Sequence, residues 1–367
     1  MRFCFTADGA RLAWTDGGPD ALDGGHPDAR RRPAVLVPSS WFGNVDLQGD
    51  AEVWAPFLAA LGRHARIVRF DRRGVGHSDE GHPGELVDTW VGDVETVAAA
   101  AGLDRFVLLG GGRAAGMSIA FAAHRPERVR GLVLYGGASS TAHHPAQRAL
   151  CATLGPLLTM ARPRHDRLVE QFLASLMLPE GSEPQLGALG ELILQWTRTT
   201  TGEHTFEQGT SFDVRHLLDE VDAATLVVHS TGDGVVPFDE ARLIARRIRG
   251  ARLLPIASRN HLVLPDEPPW HTVVDEIVAF VAGLDEVAAS GGPEDGRRAT
   301  SVADLLSTRE MEVLQLVAIG ADNVEIAAKL FLSVRTVERH LHHIYVKLGL
   351  QGKSARAAAV AQLLSAR

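Results

Sequence analysis

Short apolar runs recur along the first two thirds of the chain and alternate with stretches of helical spacing. After an opening pair at residues 2–6 and 11–15, they lie at residues 34–37, 65–70, 105–109, 131–135, 225–229 and 251–256. Runs this short between helical segments are typical of strands buried on both faces. The pattern predicts an α/β fold: a hairpin, then a mostly parallel sheet with helices on both faces.

The alternation stops twice. Between about residues 137 and 224 helical spacing replaces it, which predicts a helical cap inserted into the sheet domain. Residues 283–303 have no sustained apolar face and have the composition of a flexible linker. We therefore expect a body at residues 1–282, a linker at 283–303 and a separate domain at 304–367.

The last segment has the pattern of a small all-helical domain. Ser307 and Glu310 form a capping box, and Asn323 and Ser333 are expected to cap two further helices. The third helix carries a stripe of apolar residues at helical spacing, namely Val337, Leu341, Ile344 and Leu348. Two helices joined by a tight turn, the second of them amphipathic, are typical of a helix-turn-helix that places its second helix in the major groove of DNA.

Composition and charge narrow the class of protein. The net charge is −8, yet residues 301–367 carry eight Lys or Arg against six Asp or Glu, so only the tail is suited to an anionic partner. Two distant cysteines, Cys4 and Cys151, form neither a disulfide framework nor a metal-binding cluster. With no membrane-spanning run and no signal sequence at its start, the chain is expected to be cytoplasmic.

Four stretches give the body a resemblance to the α/β-hydrolase family. They are the turn at Gly110–Ala114, the segment Asp71–Asp79, the segment Gly232–Pro237, and the pair Asn260 and His261. The family carries its nucleophile, acid and histidine in that chain order. The resemblance therefore implies that Asp233 lies at the position of the orienting acid, His261 at that of the general base, and Gly112 at that of the nucleophile.

The nucleophile position is the departure from the family pattern. Gly112 supplies no hydroxyl or thiol, although glycine adopts the strained turn readily. Ser118 is too far along the following helix to replace it, and Ser40 is a conceivable relocated nucleophile. By the same resemblance, the loop of Ser39 and Ser40 and the backbone of Arg113 would form the oxyanion hole. Trp41 and Phe42, just past the third strand, either line the pocket or pack beneath the cap.

The tail resembles the LuxR-type DNA-binding domain over nearly its whole length. The matching residues include Ser307–Leu314, Gly320, Asn323–Ala327, Ser333, Thr336, Val337, His340 and Leu348. The resemblance places base contacts at Glu338, Arg339 and His342, with Arg335 also facing outward, whereas Asn323, Thr336, Lys347 and Lys353 are suited to phosphates. Glu338 departs from the family, in which a basic residue is common there. The fourth helix, Ser354–Ser365, resembles a dimer contact, which implies a homodimer on a palindromic operator in double-stranded DNA.

These expectations combine into a transcriptional regulator whose body binds a small molecule or mediates dimerisation. The alternative is a bifunctional protein in which His261 and Asp233 retain non-covalent chemistry: water-mediated hydrolysis, or a lyase or cofactor-free oxygenase reaction. A body that only dimerises would have a filled core beneath its cap. No metal or cofactor is expected.

Overall fold

A computed structural model describes residues 1–17, 32–40, 44–46, 53–79, 87–141, 143–161, 167–199, 212–289, 306, 308–318 and 321–330, and scattered positions from 334 to 363. The chain divides into two compact units, Met1–Gly291 and Gly292–Arg367. Trp41, Phe42 and Ser307 lie outside the described residues.

The first unit, which we call the body, is built on an eight-stranded sheet of order β1-β2-β4-β3-β5-β6-β7-β8. The strands are β1 (Arg2–Phe5), β2 (Arg11–Asp16), β3 (Ala34–Pro38), β4 (Arg66–Phe70), β5 (Phe106–Gly111), β6 (Val129–Tyr135), β7 (Thr225–Ser230) and β8 (Arg252–Ile256). The β1–β2 and β2–β4 pairs are antiparallel, and the pairs from β3 to β8 are parallel. The predicted hairpin and parallel sheet are confirmed.

Helices cover both faces of this sheet. They are α1 (Ala55–Gly62), α2 (Val87–Ala100), α3 (Ala114–His124), α4 (Pro145–Ala161), α5 (Arg167–Met177), α6 (Glu183–Thr199), α7 (Phe238–Arg247) and α8 (Trp270–Ala289). One apolar core joins the sheet to α2, α3 and α7, and a second joins it to α1 and α8. The central strands are buried on both sides, which explains their short, continuous apolar runs.

Three of these helices, α4, α5 and α6, lie between β6 and β7 in the chain and form the cap. Leu173 and Leu178, in and just after α5, belong to the second core, as do Leu189 and Ile193 of α6. The cap is therefore packed onto the body by a continuous apolar contact.

Helix α8 corrects the expected start of the linker. It continues to Ala289, into the stretch 283–303 that the composition had assigned to a linker. Leu284 packs against Gly131, where an added Cβ would lie 2.4 Å from the Leu284 side chain. This contact, together with good helix formers such as Ala288, explains why the helix does not end at residue 282.

The second unit contains α9 (Thr308–Ala318) and α10 (Asn323–Leu330) and has a core of its own. In the predicted third helix the described residues from Val334 to Tyr345 are helical and Leu348 lies in a turn. Val337, Leu341, Ile344 and Leu348 are buried in that core. Ala359 and Leu363, from the expected fourth helix, are buried in the same core. The apolar stripes deduced from periodicity therefore face inward.

The cap of α10 was assigned to the wrong residue. Asp322, not Asn323, accepts the backbone N–H groups of Val324 and Glu325, at 2.8 and 2.9 Å. Its own N–H donates to Glu325 Oε2 at 2.9 Å, which completes a capping box. Asn323 is the first helical residue, and its side-chain oxygen accepts a hydrogen bond from Arg356 at 2.9 Å.

No helix among the described residues is both long enough and apolar enough to cross a membrane.

A buried ion pair ties the loop after β4 to α2. The Arg73 guanidinium binds the Asp93 carboxylate at 2.8 Å, with both side chains at least 96% buried, and also binds Asp8. We expect Arg73→Met to lower the free energy of unfolding of the body by about 3 kcal/mol or more, because it leaves Asp93 buried without its cation. All six tryptophans lie in the body, so urea denaturation followed by tryptophan fluorescence reports on this unit.

The exposed pair of Arg242 and Asp239 supplies the control. Arg242→Met should change the same free energy by less than about 1 kcal/mol. Equal effects of the two substitutions would contradict the structural role assigned to the Arg73–Asp93 pair.

Candidate functional site

The turn between β5 and α3 holds Gly112 in a left-handed conformation, with φ of +51°. Its N–H donates to the Tyr135 carbonyl at 3.2 Å, and its carbonyl accepts from Ala115 and Ala138 at 3.3 Å each. An added Cβ at Gly110 would lie 2.4 Å from Ser118 Oγ. Both the positive φ and the close packing explain why small residues occupy this turn.

A side chain at position 112 would point at two polar groups. A Cβ built there lies 2.7 Å from Ser40 Oγ and 3.6 Å from His261 Nε2. Ser118, by contrast, donates its hydroxyl to the Ala114 carbonyl one turn back along α3, at 2.8 Å, and is fully buried. Of the two serines considered as replacement nucleophiles, only Ser40 borders the space in front of Gly112.

His261 and Asp233 form a buried hydrogen-bonded dyad. His261 follows β8 and Asp233 follows β7, and the parallel pairing of these strands brings both loops to one edge of the sheet. His261 Nδ1 lies 2.7 Å from Asp233 Oδ2. This bond orients the imidazole so that Nε2 faces Gly112.

The environment perturbs both members of the dyad. Burial favours the neutral form of His261, but the Asp233 carboxylate outweighs it and raises the pKa of the imidazole above its usual value. Burial also opposes ionisation of Asp233, yet the charge of His261 and hydrogen bonds from His229 and His261 hold the pKa of this carboxyl well below its usual range. The dyad is therefore biased toward an ion pair.

His229 is a member of the site that sequence reasoning missed. It is fully buried in β7, its Nε2 donates to the Val236 carbonyl at 2.9 Å, and the same nitrogen lies 3.4 Å from Asp233 Oδ2. Asp233 Oδ1 in turn accepts the N–H groups of Val235 and Val236. A histidine inside an otherwise apolar strand was the signal that could have revealed this support.

The loop carrying Ser40 is held by Arg72. The Arg72 guanidinium donates to the Ser39 carbonyl at 2.6 Å and to the Ser40 carbonyl at 3.0 Å. The Arg72 N–H donates to Ser39 Oγ at 3.0 Å. These bonds fix the Ser40 backbone beside Gly112.

The Arg113 side chain packs against two aromatic rings, which is not the environment of a ligand contact. Its guanidinium carbon lies 5.8 Å from the ring centroid of Trp90 and 5.6 Å from that of Phe212, which is cation–π geometry. Arg113 nevertheless borders the cavity in front of Gly112. We assign its charged end to packing within the body.

A small cavity of about 20 Å³ lies in front of Gly112, with room for about one water molecule. Its walls come partly from the loops at the sheet and partly from the cap. The described lining residues are Ser40, Gly112, Arg113, Ala138, Thr141, Gln147, Met177, Val235, Val236 and His261. Gln147 and Met177 come from α4 and α5, and sequence analysis did not identify them because the cap has no motif of its own.

The cap is also bonded to the histidine loop. The backbone N–H of His261 donates to the Met177 carbonyl at 2.7 Å, and Asn260 Oδ1 accepts the backbone N–H of Glu180 at 2.9 Å. Asn260 Nδ2 donates to Glu267 Oε1 at 2.9 Å. His261 is therefore positioned jointly by the body and the cap.

Among the residues proposed to contact DNA, the structure describes Asn323, at the start of α10. The others, Arg335, Thr336, Glu338, Arg339, His342, Lys347 and Lys353, lie outside the described residues. Within the described part of the chain, no cluster of three or more His, Cys, Asp or Glu side chains has metal-binding geometry.

Comparison with known proteins assigns the body. The family model for the alpha/beta hydrolase fold matches residues 33–268, more than half of the chain. The chain belongs to the alpha/beta hydrolase fold family. A solved structure of the esterase RhEst1 from Rhodococcus sp. superposes with a TM-score of 0.62 at 22% identity, covering 77% of this chain and 98% of the esterase. An enol-lactonase from Burkholderia xenovorans gives a TM-score of 0.57 at 17% identity, over 78% of this chain and 100% of the lactonase. At these identities the similarity establishes the fold of this hydrolase-family chain.

The second unit matches a different family. The model for bacterial regulatory proteins of the luxR family covers residues 304–360. The oxygen regulatory protein NreC of Staphylococcus aureus is 50% identical over 64 residues, which are 17% of this chain and 30% of NreC. The chain thus spans less than a third of the length of this curated relative. The second unit is a LuxR-type DNA-binding domain, attached to a body of the hydrolase fold.

The dyad gives a pH-dependent contribution to stability. Because folding raises the pKa of His261, the interaction of its protonated ring with Asp233 stabilises the body below about pH 6.5. This stabilisation is lost as pH rises through the folded pKa. The lowered pKa of Asp233 stabilises it above about pH 4 and is lost as pH falls. Asp233→Asn removes both effects, so wild type should exceed the variant in free energy of unfolding most between about pH 4 and 6.5. Urea denaturation followed by tryptophan fluorescence across pH measures this difference.

Asp239→Asn, at an exposed position on α7, is the matched control, because it also removes one carboxylate but leaves the dyad intact. A stability difference for Asp233→Asn that grows above about pH 6.5 would contradict the ion-pair assignment.

Proposed function

We propose that the chain is a transcriptional regulator that binds double-stranded DNA and whose hydrolase-fold body retains a small molecule instead of turning over an ester. The observation that carries the proposal is the glycine facing the dyad. His261 Nε2 is oriented toward position 112, where no side chain is present to be acylated. We assign Gly112 to the family's nucleophile position, with Asp233 and His261 in the positions of its acid and base.

Loss of the nucleophile suits a sensing role. A serine there would use His261 as general base and form a covalent intermediate with an acyl compound. With Gly112 that route is absent, while the dyad and Ser40 still offer polar contacts to an occupant. For the occupant to regulate DNA binding, its affinity must differ between two states of the protein.

The proposal is tested by restoring the nucleophile. Gly112→Ser places its Cβ 3.6 Å from His261 Nε2, and the Ser40 hydroxyl, a terminal group 2.7 Å away, can rotate aside. We expect this variant, but not wild type, to form a covalent adduct with a fluorophosphonate probe, detected by intact-protein mass spectrometry. The reason is that the base and its orienting acid are already in place.

Gly112→Ala introduces the same backbone strain without a hydroxyl, and Gly112→Ser with His261→Ala removes the base; neither should react. Labelling of wild type that is lost in Ser40→Ala would identify Ser40 as a working nucleophile and overturn the proposal. A folded but unreactive Gly112→Ser variant would show that this position is not aligned with the dyad.

DNA binding is proposed to involve a homodimer and a palindromic site with half-sites one helical turn apart. We expect Arg339→Ala to weaken binding to a selected operator by about 1–3 kcal/mol and to relax the sequence preference, because Arg339 is assigned to a base. Lys353→Ala should weaken binding to all sequences similarly and reduce the salt dependence by about one counterion. Selection from a random DNA library, followed by fluorescence anisotropy, measures both effects.

Arg242→Ala, on the surface of the body, is the control for loss of a positive charge and should leave operator affinity unchanged. If Arg339→Ala and Lys353→Ala behave alike in sequence preference and salt dependence, the assignment of base and phosphate contacts is wrong.

The second candidate function is non-covalent catalysis. It is favoured by the cavity of about 20 Å³ between Gly112, Ser40 and His261, which can hold about one water molecule within reach of His261, a general base when its imidazole is deprotonated. Steady ester hydrolysis by wild type, without a burst and abolished in His261→Ala, would favour this function over a purely sensing body.

A further inference from the structure

A buried polar group in the cap faces the cavity without a partner. Gln147, on α4, is 2% exposed, and its side-chain oxygen has no hydrogen-bond partner among the residues that the structure describes. The residue lines the same cavity as His261 and Ser40. Leaving a buried carbonyl oxygen unpaired is unfavourable, so a ligand that donates a hydrogen bond to it would be stabilised.

The wall opposite the cap offers hydrogen-bond donors. His261 Nδ1 is engaged by Asp233 at 2.7 Å, so Nε2 is the ring nitrogen presented to the cavity. Asp233 raises the pKa of the imidazole, and in the protonated form of the ring Nε2 carries a hydrogen that it can donate. The Ser40 hydroxyl lies beside it. This side of the cavity is therefore suited to a carbonyl oxygen of a ligand.

Three charged side chains lie at or next to the cavity: Asp233, His261 and Arg113. Asp233 and His261 compensate each other, and the guanidinium of Arg113 lies against Trp90 and Phe212, which do not line the cavity. The other described lining residues are uncharged: Ser40, Gly112, Ala138, Thr141, Gln147, Met177, Val235 and Val236. Outside the dyad, Arg113 is the one charged residue among the described lining residues, and a ligand charge that it does not neutralise would be strongly unfavourable to bury. This favours a neutral ligand.

We propose that this cavity is a binding site for a small neutral carboxamide. Its carbonyl oxygen accepts from His261 Nε2 and Ser40 Oγ, its N–H donates to Gln147 Oε1, and its aliphatic part packs against Val235 and Val236. The proposal rests on the proposed function, in which the body holds its occupant without acylation, and adds the chemical class of that occupant.

Binding requires the cap to move. A cavity with room for about one water is smaller than a carboxamide with an aliphatic group. Gln147 and Met177 belong to the cap, so the ligand bridges the cap and the body. Entry must therefore shift α4 or α5 from the position seen here.

The test uses the full chain and three probes of one shape: isobutyramide, isobutyrate and 3-methylbutan-2-one. Isobutyramide has both the acceptor and the donor, isobutyrate carries a charge, and the ketone lacks the donor. We expect isothermal titration calorimetry near pH 7 to show isobutyramide binding at least about tenfold tighter than either of the other probes. Equal or tighter binding of isobutyrate or of the ketone overturns the proposal, as does binding of none of the three.

The role of Gln147 is tested by Gln147→Leu, which removes the acceptor at similar size. This variant should bind isobutyramide and the ketone equally, while Gln171→Leu, at an exposed position on α5, keeps the wild-type preference. A preference for isobutyramide that persists in Gln147→Leu overturns the assigned contact. The comparison of probes on wild type decides the ligand class even if Gln147→Leu fails to fold.

Operator affinity, measured with and without isobutyramide, separates this proposal from the proposed function. Isobutyramide that binds but leaves operator affinity unchanged would support the site and contradict its role in sensing. Failure of isobutyramide to bind, with Gly112→Ser still reacting with the fluorophosphonate, would contradict the ligand class and leave the proposed loss of the nucleophile supported.

Discussion

The close approach of β5, the turn at Gly112 and α3 is the constraint on which the site in the body depends. Added Cβ atoms at Gly110, Gly116 and Gly137 would each lie 2.4 Å from a neighbouring atom. This packing brings the start of α3 against the end of β6, and Ser40, after β3, and His261, after β8, face Gly112. The arrangement is a property of small residues and backbone, so it persists whether or not a nucleophile is present.

The dyad of His261 and Asp233 also has a structural role that does not depend on catalysis. Asp233 accepts the N–H groups of Val235 and Val236, besides its contact with His261. Removing the carboxylate would leave these buried donors unpaired, which is destabilising irrespective of catalysis. Retention of Asp233 and His261 therefore does not by itself indicate an enzyme. The residue that distinguishes the possible functions is Gly112. A serine at this position would serve catalysis, but the fold does not require one.

The sequence predicted the strands because their apolar runs are continuous and bounded by helical spacing, and it placed Gly112, Asp233 and His261 because each follows a strand in a recognisable motif. It could not place Gln147 or Met177, since the cap contributes them through tertiary packing. It ended the body too early because Leu284 is held by a distant contact with Gly131. It assigned the cap of α10 to Asn323 because Asp322 and Asn323 are both good capping residues, and only the hydrogen bonds distinguish them.

A sensor has a requirement that a hydrolase lacks: its occupant must remain bound long enough to bias the protein between two states. Three features of the body meet this requirement together. Under the proposed function, Gly112 presents no hydroxyl to be acylated, the cap residues Gln147 and Met177 border the cavity, and the backbone N–H of His261 is bonded to the Met177 carbonyl of that cap. Because His261 is held from both sides, a ligand that contacts its Nε2 and also Gln147 must act on the position of the cap. Under the proposed function, the energetic link between occupancy and conformation would therefore lie in the contacts of α4 and α5 with the histidine loop, not in the dyad alone.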